Sequence, residues 1–302
     1  MELGMVGLGR MGANMTTRLL RAGHRVVATD MKAEAVAEAV NDGAEGAASL
    51  DELVQKLAAP RAVWVMVPSG KPTESVVESL AALLSRGDTA IDGGNSNYKD
   101  TIRRRRQLAE AGLHYVDCGT SGGVWGLAEG YSMMVGGDQS VVDRLRPVFE
   151  TLAPAPDRGW GRVGPTGSGH FAKMVHNGIE YGMMQALAEG FEILERKEEF
   201  KLDLAQIGRI WQHGSVVRSW LLDLTVSALA ENPTLDGIAP WVSDSGEGRW
   251  TVQEAVDLDV PAPVITLSLI ARLRSRSEKA FADRLLAAMR NQFGGHAIRK
   301  ES

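Results

Sequence analysis

The sequence predicts an α/β domain with a Rossmann-type, doubly wound sheet, followed by an all-α domain. In the first half, short apolar strands alternate with helical segments, and the first strand runs into a Gly-x-Gly-x-x-Gly turn. In the second half, apolar residues recur at helical spacing. The chain has 302 residues, more than one core usually organises, so we expect two domains, at 1–164 and 165–302.

The order of the predicted elements supports this fold class. Apolar runs of strand length occur at 3–6, 25–29, 61–67, 89–91, 114–117, 131–136 and near 159–163. Helical patterns between them cover about 12–22, 33–40, 50–58, 73–85, 99–111 and 141–152. After a glycine-rich link at 165–170, helical patterns cover about 171–194, 202–213, 217–230, 251–257, 263–274 and 277–291.

The turn after the first strand has the spacing of a dinucleotide-binding motif, and its residues are Gly7, Leu8, Gly9, Arg10, Met11 and Gly12. The first two glycines permit a tight turn and close approach to a pyrophosphate, and the third permits close helix packing. The N-terminus of the following helix supplies amide donors and positive potential. We therefore expect these residues to bind the cofactor.

The second strand ends at Asp30, whose carboxylate can accept hydrogen bonds from both ribose hydroxyls and would repel a 2′-phosphate. Met31 and Lys32 follow it, rather than an arginine that could hold such a phosphate. The sequence therefore predicts NAD as the cofactor and disfavours NADP. The alternative role for Asp30, as the N-cap of the next helix, is compatible with a ribose contact.

Three glycine-rich segments follow later strands, at 67–70, 92–96 and 118–123. In open α/β sheets, ligands bind beside such segments at the carboxyl ends of the strands. Each segment alone is more often a simple turn. Together they predict a pocket in which the Asn95 amide and the Ser121 hydroxyl lie toward the glycine motif.

The predicted helix at 171–194 carries four polar side chains on one face, namely Lys173, His176, Asn177 and Glu180. At 100° per residue they fall within about 100° of each other, and Lys173 and Glu180 lie about 10 Å apart along the axis. A small substrate fits that interval, with a possible base at one end and a possible acid at the other. A solvated helix face is the alternative interpretation for the Lys–Glu pair alone.

The composition argues against several other classes of protein. A net charge of −5 gives no basic field for nucleic acid, and the arginine run at 103–106 is interpreted as a solvated helix face. Cys118 is the single cysteine and the six histidines lack zinc spacing, so we expect no intrachain disulfide and no catalytic metal. Neither a signal peptide nor an apolar stretch of about 18 residues is read, which predicts a cytoplasmic protein without a membrane partner.

Taken together, these motifs resemble the 6-phosphogluconate dehydrogenases, within the β-hydroxyacid dehydrogenase superfamily, over nearly the whole chain. The glycine turn and the segment 117–123 resemble the superfamily in general. The run from Lys173 to Tyr181 is far more specific, because relatives acting on unphosphorylated hydroxy acids typically carry Lys-x-x-Asn-Asn there. The segment from Arg290 to His296 resembles the family's C-terminal motif.

The resemblance implies oxidative decarboxylation of 6-phospho-D-gluconate to D-ribulose 5-phosphate and CO2, with NAD as hydride acceptor, in the pentose phosphate pathway and gluconate utilisation. Lys173 would take the proton of the C3 hydroxyl, and Glu180 would protonate the enediol that remains after CO2 leaves. The residues implied to hold the sugar acid are Asn95, Ser121, Gly122, Gly123, His176 and Asn177. Those implied to bind its phosphate are Tyr181, Arg272, Arg290 and His296, and those implied to line the cofactor are Val67, Pro68, Ser69 and Asn95.

The resemblance also implies an assembly and a subclass. In the family the C-terminal arginine and histidine come from the partner subunit, so Arg290 and His296 would complete the neighbouring active site of a homodimer or homotetramer. The segment 244–251 is shorter than in longer members and lacks clear counterparts of their phosphate-binding lysine and threonine. The helical domain is also short, and both features resemble the short, often NAD-preferring bacterial form.

Two other functions remain open on the residues alone. The first is an NAD-dependent dehydrogenase of an unphosphorylated 3-hydroxy acid. The second is an NAD-binding regulatory protein without turnover. Retention of both Lys173 and Glu180 argues against the second, because a degenerate site has no physical reason to keep both charges in a cleft.

Overall fold

The computed structural model describes residues 1–277, 280–294 and 297–299. The chain forms two compact units, Met1–Asn177 and Gly178–Ser302. The division between them falls within one long helix, and the domain boundary predicted at residue 165 stays a prediction.

Within the described part of the chain, the first unit contains an eight-stranded sheet. Its strands are β1 (Glu2–Val6), β2 (Arg25–Thr29), β3 (Glu45–Gly46), β4 (Ala62–Val65), β5 (Thr89–Asp92), β6 (His114–Ser121), β7 (Ser132–Gly136) and β8 (Trp160–Gly164). They lie in the order β3-β2-β1-β4-β5-β6-β7-β8. The chain runs outward from β1 to β3 and then returns to the other side of β1 with β4. This reversal creates a crevice at the carboxyl ends of β1 and β4, where doubly wound sheets bind ligands.

Helices flank the strands of the first unit. They are α1 (Arg10–Arg21), α2 (Ala33–Asn41), α3 (Leu50–Gln55), α4 (Lys71–Leu83), α5 (Tyr98–Glu110), α6 (Gly126–Glu129), α7 (Gln139–Leu152) and the start of α8 (Ser168–Glu195). The parallel pairing of β1 through β6 and the alternation with helices confirm the predicted doubly wound sheet.

Successive residues of the central strands pack into two cores on opposite faces of the sheet. In β4, Trp64 belongs to the cluster that contains Leu19 of α1. Its neighbours Val63 and Val65 belong to the other cluster, with Leu80 of α4. All three strand residues are fully buried, as expected for a parallel sheet covered by helices on both faces.

The far edge of the sheet differs from the sequence prediction. β6 continues to Ser121, beyond its predicted end at Asp117, because residues 117–121 pair antiparallel with residues 132–136 of β7. The connection between these strands is too short for the crossover that a parallel pair needs. It holds a 3-10 turn at Gly123–Trp125 and the short helix α6, neither of which was predicted. The two-residue strand β3 was also missed, since two residues carry no alternating pattern.

Among its described residues, the second unit has helices and connecting loops but no strand, which confirms the predicted all-α half. After α8 it contains α9 (Leu204–Trp211), α10 (Trp220–Glu231), α11 (Glu247–Asp257), α12 (Pro263–Ser275) and α13 (Phe281–Gly294). Helix α11 begins four residues before its predicted start at 251. The buried core of this unit is small and is formed by Phe191, Ala205, Leu222, Val226 and Leu229.

The described residues show neither a membrane-spanning helix nor a metal-binding cluster. No described helix has both the length and the apolar composition needed to cross a membrane. No group of three or more histidine, cysteine, aspartate or glutamate side chains in the described ranges is arranged to hold a metal ion.

Candidate active site

The glycine turn after β1 is shaped by close backbone contacts. Gly7 has a φ of 94°, and a Cβ added to it would lie 2.4 Å from the carbonyl oxygen of Met66. A Cβ on Gly12 would lie 2.0 Å from the carbonyl oxygen of Gly7. The first turn of α1 can therefore pack on the glycine turn only because residue 12 has no side chain. Gly9, the N-cap of α1, faces open space, and no described side chain caps that helix. The first amides of α1 are therefore available to an anion.

The carboxylate of Asp30 braces this turn. Its Oδ2 accepts a hydrogen bond from the Leu8 amide at 2.6 Å, and its Oδ1 accepts one from the Lys32 amide at 2.8 Å. The N-cap position of α2 belongs to Lys32, so Asp30 does not fill the alternative role of a helix cap. Met31 and Lys32 are both exposed beside it.

The loops that follow β4 and β5 lie against each other. β1, β4 and β5 are neighbours in the sheet, so these loops leave the same edge as the glycine turn. A Cβ on Gly94 would come within 3.1 Å of the carbonyl oxygen of Val67, which shows how closely the two loops approach. At this edge the side chains of Pro68, Ser69 and Asn95 are exposed.

The end of β6 forms the next part of this edge. Ser121 is the last residue of β6 and is half-buried. Gly122 and Gly123 turn the chain away with φ values of 131° and 50°, a backbone region that favours glycine. Residues 118–120, expected in a loop, belong instead to the strand and are buried.

Lys173 lies in α8 with two polar partners on the same helix. It is 6% exposed, and its Nζ donates to Asn177 Oδ1 at 2.6 Å. His176 Nδ1 lies 3.3 Å from Lys173 Nζ and 2.9 Å from Asn177 Oδ1. Asn177 Oδ1 can only accept, so its contact requires a proton on His176 Nδ1, whereas a hydrogen bond from Lys173 requires Nδ1 without a proton. The three side chains therefore form one hydrogen-bonded cluster, as their helical spacing predicted.

The first turn of α8 is fixed to the sheet by Asp117 of β6. The carboxylate is fully buried, and it accepts the Gly167 amide at 2.6 Å through Oδ1 and the His170 amide at 2.8 Å through Oδ2. These are amides that the start of a helix leaves without intrahelical acceptors. Hydrogen bonds to a charged acceptor contribute about 1.5–3 kcal/mol each. Asp117 thus determines where the helix that carries Lys173 begins.

Glycines allow α8 to approach the strands with its backbone. A Cβ on Gly119 would lie 2.4 Å from Lys173 Cβ and 2.7 Å from the carbonyl oxygen of Gly169. A Cβ on Gly169 would lie 2.4 Å from the carbonyl oxygen of Met134 in β7. Lys173 is held against β6 because neither position has a side chain.

The sequence interpretation missed Asp117, Gly119 and Gly169 as site residues, and it also missed His170. The His170 ring is 2% exposed, and its Nδ1 lies 2.7 Å from Thr101 Oγ1 of α5. Its Nε2 has no hydrogen-bond partner within the described part of the chain. The sequence signal that could have found them is Asp117 two residues before Gly119 in the strand, followed by the glycine pair at 167 and 169 where the helix starts.

In the second unit, Tyr181 is surrounded by residues of the segment before α11 and of α12. The guanidinium of Arg272 stacks 3.4 Å from the centre of the Tyr181 ring, a cation–π contact, and donates to the Ser243 carbonyl at 3.1 Å. The Tyr181 hydroxyl lies 3.4 Å from Ser245 Oγ. A Cβ on Gly248 would lie 2.4 Å from the Tyr181 ring, so the first turn of α11 packs directly against the tyrosine.

Asp244 contacts the two other arginines of this cluster. It binds Arg249, and it also contacts Arg276 at 3.5 Å. Burial alone would raise the pKa of Asp244, but the hydrogen bonds from Arg249 and the Gly246 amide and the two guanidinium charges lower it below its usual value. Among the arginines of this cluster, Arg272 is the one that binds no carboxylate in the described residues.

The remaining predicted residues are placed as follows. Glu180 lies in α8, within the second unit, and is half-buried. Arg290 lies in α13 and is exposed. His296 lies outside the described residues.

Comparison with known proteins identifies the family. Residues 2–161 match the model of the NAD binding domain of 6-phosphogluconate dehydrogenase, and residues 169–301 match the model of its C-terminal domain. The chain belongs to the 6-phosphogluconate dehydrogenase family. The resemblance inferred from the motifs is therefore confirmed, and the first unit is a domain of the NAD-binding type.

Three relatives show how far the similarity extends. The chain is 46% identical to a putative 6-phosphogluconate dehydrogenase, YqeC, of Bacillus subtilis, over all of both chains. It is 44% identical to the NAD(+)-dependent, decarboxylating 6-phosphogluconate dehydrogenase of Haloferax volcanii, over 100% of this chain and 99% of that one. The Plasmodium falciparum 6-phosphogluconate dehydrogenase structure matches with a TM-score of 0.84 and 28% identity, over all of this chain and 66% of that one.

The position of Asp30 generates a first prediction. Asp30→Ser removes the acidic group that would repel a 2′-phosphate, so the kcat/KM for NADP should rise relative to that for NAD. Both KM values should increase, because the Leu8 and Lys32 amides lose their carboxylate acceptor. Steady-state kinetics with both cofactors would measure this, with the exposed Asp157→Ser as control. An unchanged ratio would show that Asp30 only braces the turn.

Gly119 generates a second prediction. Gly119→Ala should push α8 away from β6 and lower the kcat of the dehydrogenase about 100-fold, since a misplacement of about 1 Å costs that much. NADH binding should remain, because the glycine turn is untouched. Gly161→Ala is the matched control, since a Cβ at that strand glycine meets no atom within 4 Å. A decrease in kcat of less than threefold would contradict the role given to Gly119.

Proposed function

We propose that this enzyme catalyses the NAD-dependent oxidative decarboxylation of 6-phosphogluconate to ribulose 5-phosphate and CO2. The carrying observation is the cluster of Lys173, His176 and Asn177, which the Asp117 cap fixes beside the carboxyl end of β6. The 44% identity to an NAD(+)-dependent, decarboxylating family member, over the full length of both chains, supports the same reaction.

The first chemical step needs a base at the C3 hydroxyl of the substrate. NAD, when bound, accepts the hydride from C3. Lys173 Nζ takes the hydroxyl proton, for which it must be a neutral amine with a free lone pair. Asn177 Oδ1 accepts a hydrogen bond from that amine, and His176 Nδ1 lies 3.3 Å from the same nitrogen.

The second step releases CO2 from the 3-keto acid. The carbonyl at C3 accepts the electrons of the breaking carbon–carbon bond, and protonated Lys173 donates a hydrogen bond to that oxygen. The product of this step is an enediol. Glu180, two helical turns along α8 from Lys173, protonates the carbon that lost CO2, which requires a protonated carboxyl at that moment.

The cofactor lies, in this proposal, along the carboxyl edge of the sheet. The amides of the first turn of α1 bind the pyrophosphate, and Gly9 leaves room for its close approach. Asp30 retains lone pairs for the ribose hydroxyls and favours NAD over NADP. Val67, Pro68, Ser69 and Asn95 line the nicotinamide half.

The sugar acid is held by the residues that the family motif indicates. Asn95, Ser121, Gly122 and Gly123 contact its carboxylate and hydroxyls, together with His176 and Asn177. For the phosphate we propose Tyr181 and Arg272, with Arg290 and His296 supplied by a partner subunit. Arg272 suits this role because its planar fork is prealigned on the tyrosine ring and binds no carboxylate in the described residues.

We further propose that two copies of the chain form a homodimer through their second units. Its helices expose large apolar side chains, among them Ile193 (71% exposed), Val264 (67%) and Leu267 (63%). An apolar groove of about 660 Å³ also opens between α8, α9 and α10. Exposed apolar area of this extent marks an association surface.

A cytoplasmic location is part of the same proposal. The single cysteine, Cys118, is a buried thiol in β6, and burial raises its pKa to about 12. Such a thiol stays protonated and unreactive toward oxidants. A chain with a single cysteine cannot form an intrachain disulfide, which fits a reducing compartment.

The reaction is tested with purified protein, 6-phosphogluconate and either NAD or NADP. Absorbance at 340 nm follows reduction of the cofactor, and trapping of CO2 follows decarboxylation. Reduction with NAD that matches CO2 release mole for mole supports the proposal. Reduction without CO2, or equal rates with gluconate, would instead indicate a dehydrogenase of unphosphorylated 3-hydroxy acids.

Lys173→Met should abolish reduction of NAD while leaving NADH binding intact, because the base is lost and the glycine turn is unchanged. We expect a decrease in kcat of at least about 100-fold, the lower range for loss of a general base. The exposed Lys197→Met serves as the control and should retain full activity. Full activity in Lys173→Met would remove the proposed base.

Leu267→Glu should weaken self-association, because it places a charge within the proposed apolar interface. Light scattering after size exclusion would report a shift from dimer mass toward monomer mass as the protein is diluted. Val40→Glu, at an exposed position of α2 in the first unit, is the matched control. Monomer mass in the wild-type protein would contradict the proposed dimer.

A further inference from the structure

The arginine run at 103–106 was predicted to be a solvated helix face, and this prediction is wrong for one of its four arginines. Arg103, Arg105 and Arg106 are exposed, but Arg104 is 1% exposed. Its guanidinium donates through Nε to Glu74 Oε2 at 2.9 Å, and its NH1 lies 3.4 Å from Asp92 Oδ2. Burying a guanidinium costs several kcal/mol unless such partners compensate it. The burial of Arg104 is therefore a specific feature of this fold.

Asp92 is the partner of Arg104 on the β5 side. It is the last residue of β5 and is fully buried. Its Oδ2 accepts hydrogen bonds from Ser96 Oγ at 2.8 Å and Tyr115 OH at 2.9 Å, and its Oδ1 accepts the Gly94 amide at 3.2 Å. The loop 92–96 therefore folds around this carboxylate. Asn95, at its apex, is the residue left with an exposed side chain.

Glu74 is the partner of Arg104 on the β4 side. It lies in the first turn of α4, the helix that begins directly after the loop 67–70. It also accepts two hydrogen bonds from Arg103, at 2.7 and 2.6 Å. The bonds from Arg103 are the largest cause that lowers the pKa of Glu74 to about 2. Glu74 is therefore charged in neutral solution and forms an ion pair with Arg104.

We infer that Arg104 is a positioning residue that fixes the spacing between the loops 67–70 and 92–96. Its guanidinium bridges the carboxylate that folds one loop and the carboxylate that starts the helix after the other. The inference rests on the proposed function, in which Val67, Pro68, Ser69 and Asn95 contact the nicotinamide half of the cofactor. Arg104 touches neither cofactor nor substrate in this arrangement and acts through the two loops.

The ionic character of this bridge favours positioning over stability. An apolar side chain of similar volume in place of a buried ion pair is often neutral or stabilising. A bridge of three charged groups, by contrast, holds two loops at defined distances and angles, because each hydrogen bond is directional. The Asp92 carboxylate also keeps three other donors when Arg104 is replaced, so the loop 92–96 retains its fold but not its distance to α4.

The test compares Arg104→Met with Arg105→Met, its exposed neighbour on the same helix. NADH is titrated, and quenching of tryptophan fluorescence gives the Kd without any turnover. We expect the Kd for NADH and the KM for NAD to rise about tenfold in Arg104→Met and by less than twofold in Arg105→Met. Arg104→Lys, which keeps the charge without the planar fork, should give an intermediate Kd.

A purely structural role gives a different result. Destabilisation would lower the melting temperature and the number of active molecules, so Vmax would fall while the KM and the Kd of the folded fraction stayed unchanged. That outcome overturns the inference. If Arg104→Met does not fold, Glu74→Gln removes the charge of the other carboxylate in the bridge and leaves Arg104 with Asp92. A rise of about threefold in the Kd for NADH supports the inference, and an unchanged Kd overturns it.

The two proposals can fail separately. A wild-type protein that binds NADH but does not oxidise 6-phosphogluconate would contradict the proposed reaction, while the Kd series would still decide the role of Arg104. A wild-type protein that oxidises 6-phosphogluconate, with an unchanged Kd in Arg104→Met, would leave the reaction in place and remove Arg104 from it.

Discussion

The buried carboxylate of Asp117 is the interaction on which the arrangement of this site depends. It accepts the Gly167 and His170 amides and so fixes the first turn of α8 on the sheet. Lys173 follows one turn later, and it reaches β6 because Gly119 has no side chain to keep it away. The cluster of Lys173 with its helix partners is local, but its place beside the sheet comes from a strand residue more than fifty positions earlier in the chain.

The same type of interaction occurs at three aspartates that lie in a strand or directly after one. Asp30 after β2, Asp92 at the end of β5 and Asp117 in β6 each accept backbone amides of a glycine-containing segment. Glycine permits tight turns in the folded protein, but it also gives the unfolded chain more conformational entropy. An ordered glycine-rich loop therefore needs a strong hydrogen-bond acceptor to compensate for the entropy lost on folding. A carboxylate offers two oxygens for this purpose. Arg104 then connects the loop 92–96 to the first turn of α4 through its ion pairs with Asp92 and Glu74.

The second unit is organised differently. Its buried core is small, and many of its large apolar side chains are exposed. A polar cluster of this unit surrounds Tyr181, where Arg272 stacks on the ring and Asp244 forms ion pairs with Arg249 and Arg276. Gly248, at the start of α11, packs directly on the ring of this tyrosine. The proposed homodimer would cover part of this exposed apolar surface.

The sequence by itself determined the fold class, the glycine turn, the acidic end of β2 and the polar face of α8, because all four follow from periodicity or spacing over a few residues. Only the tertiary structure decided that β6 continues to Ser121, that Arg104 is buried and that Asp117 caps α8. Each of these depends on contacts between segments far apart in sequence, such as the antiparallel pairing with β7. Propensity and pattern carry no information about such contacts, since the same aspartate or arginine fits an exposed position equally well.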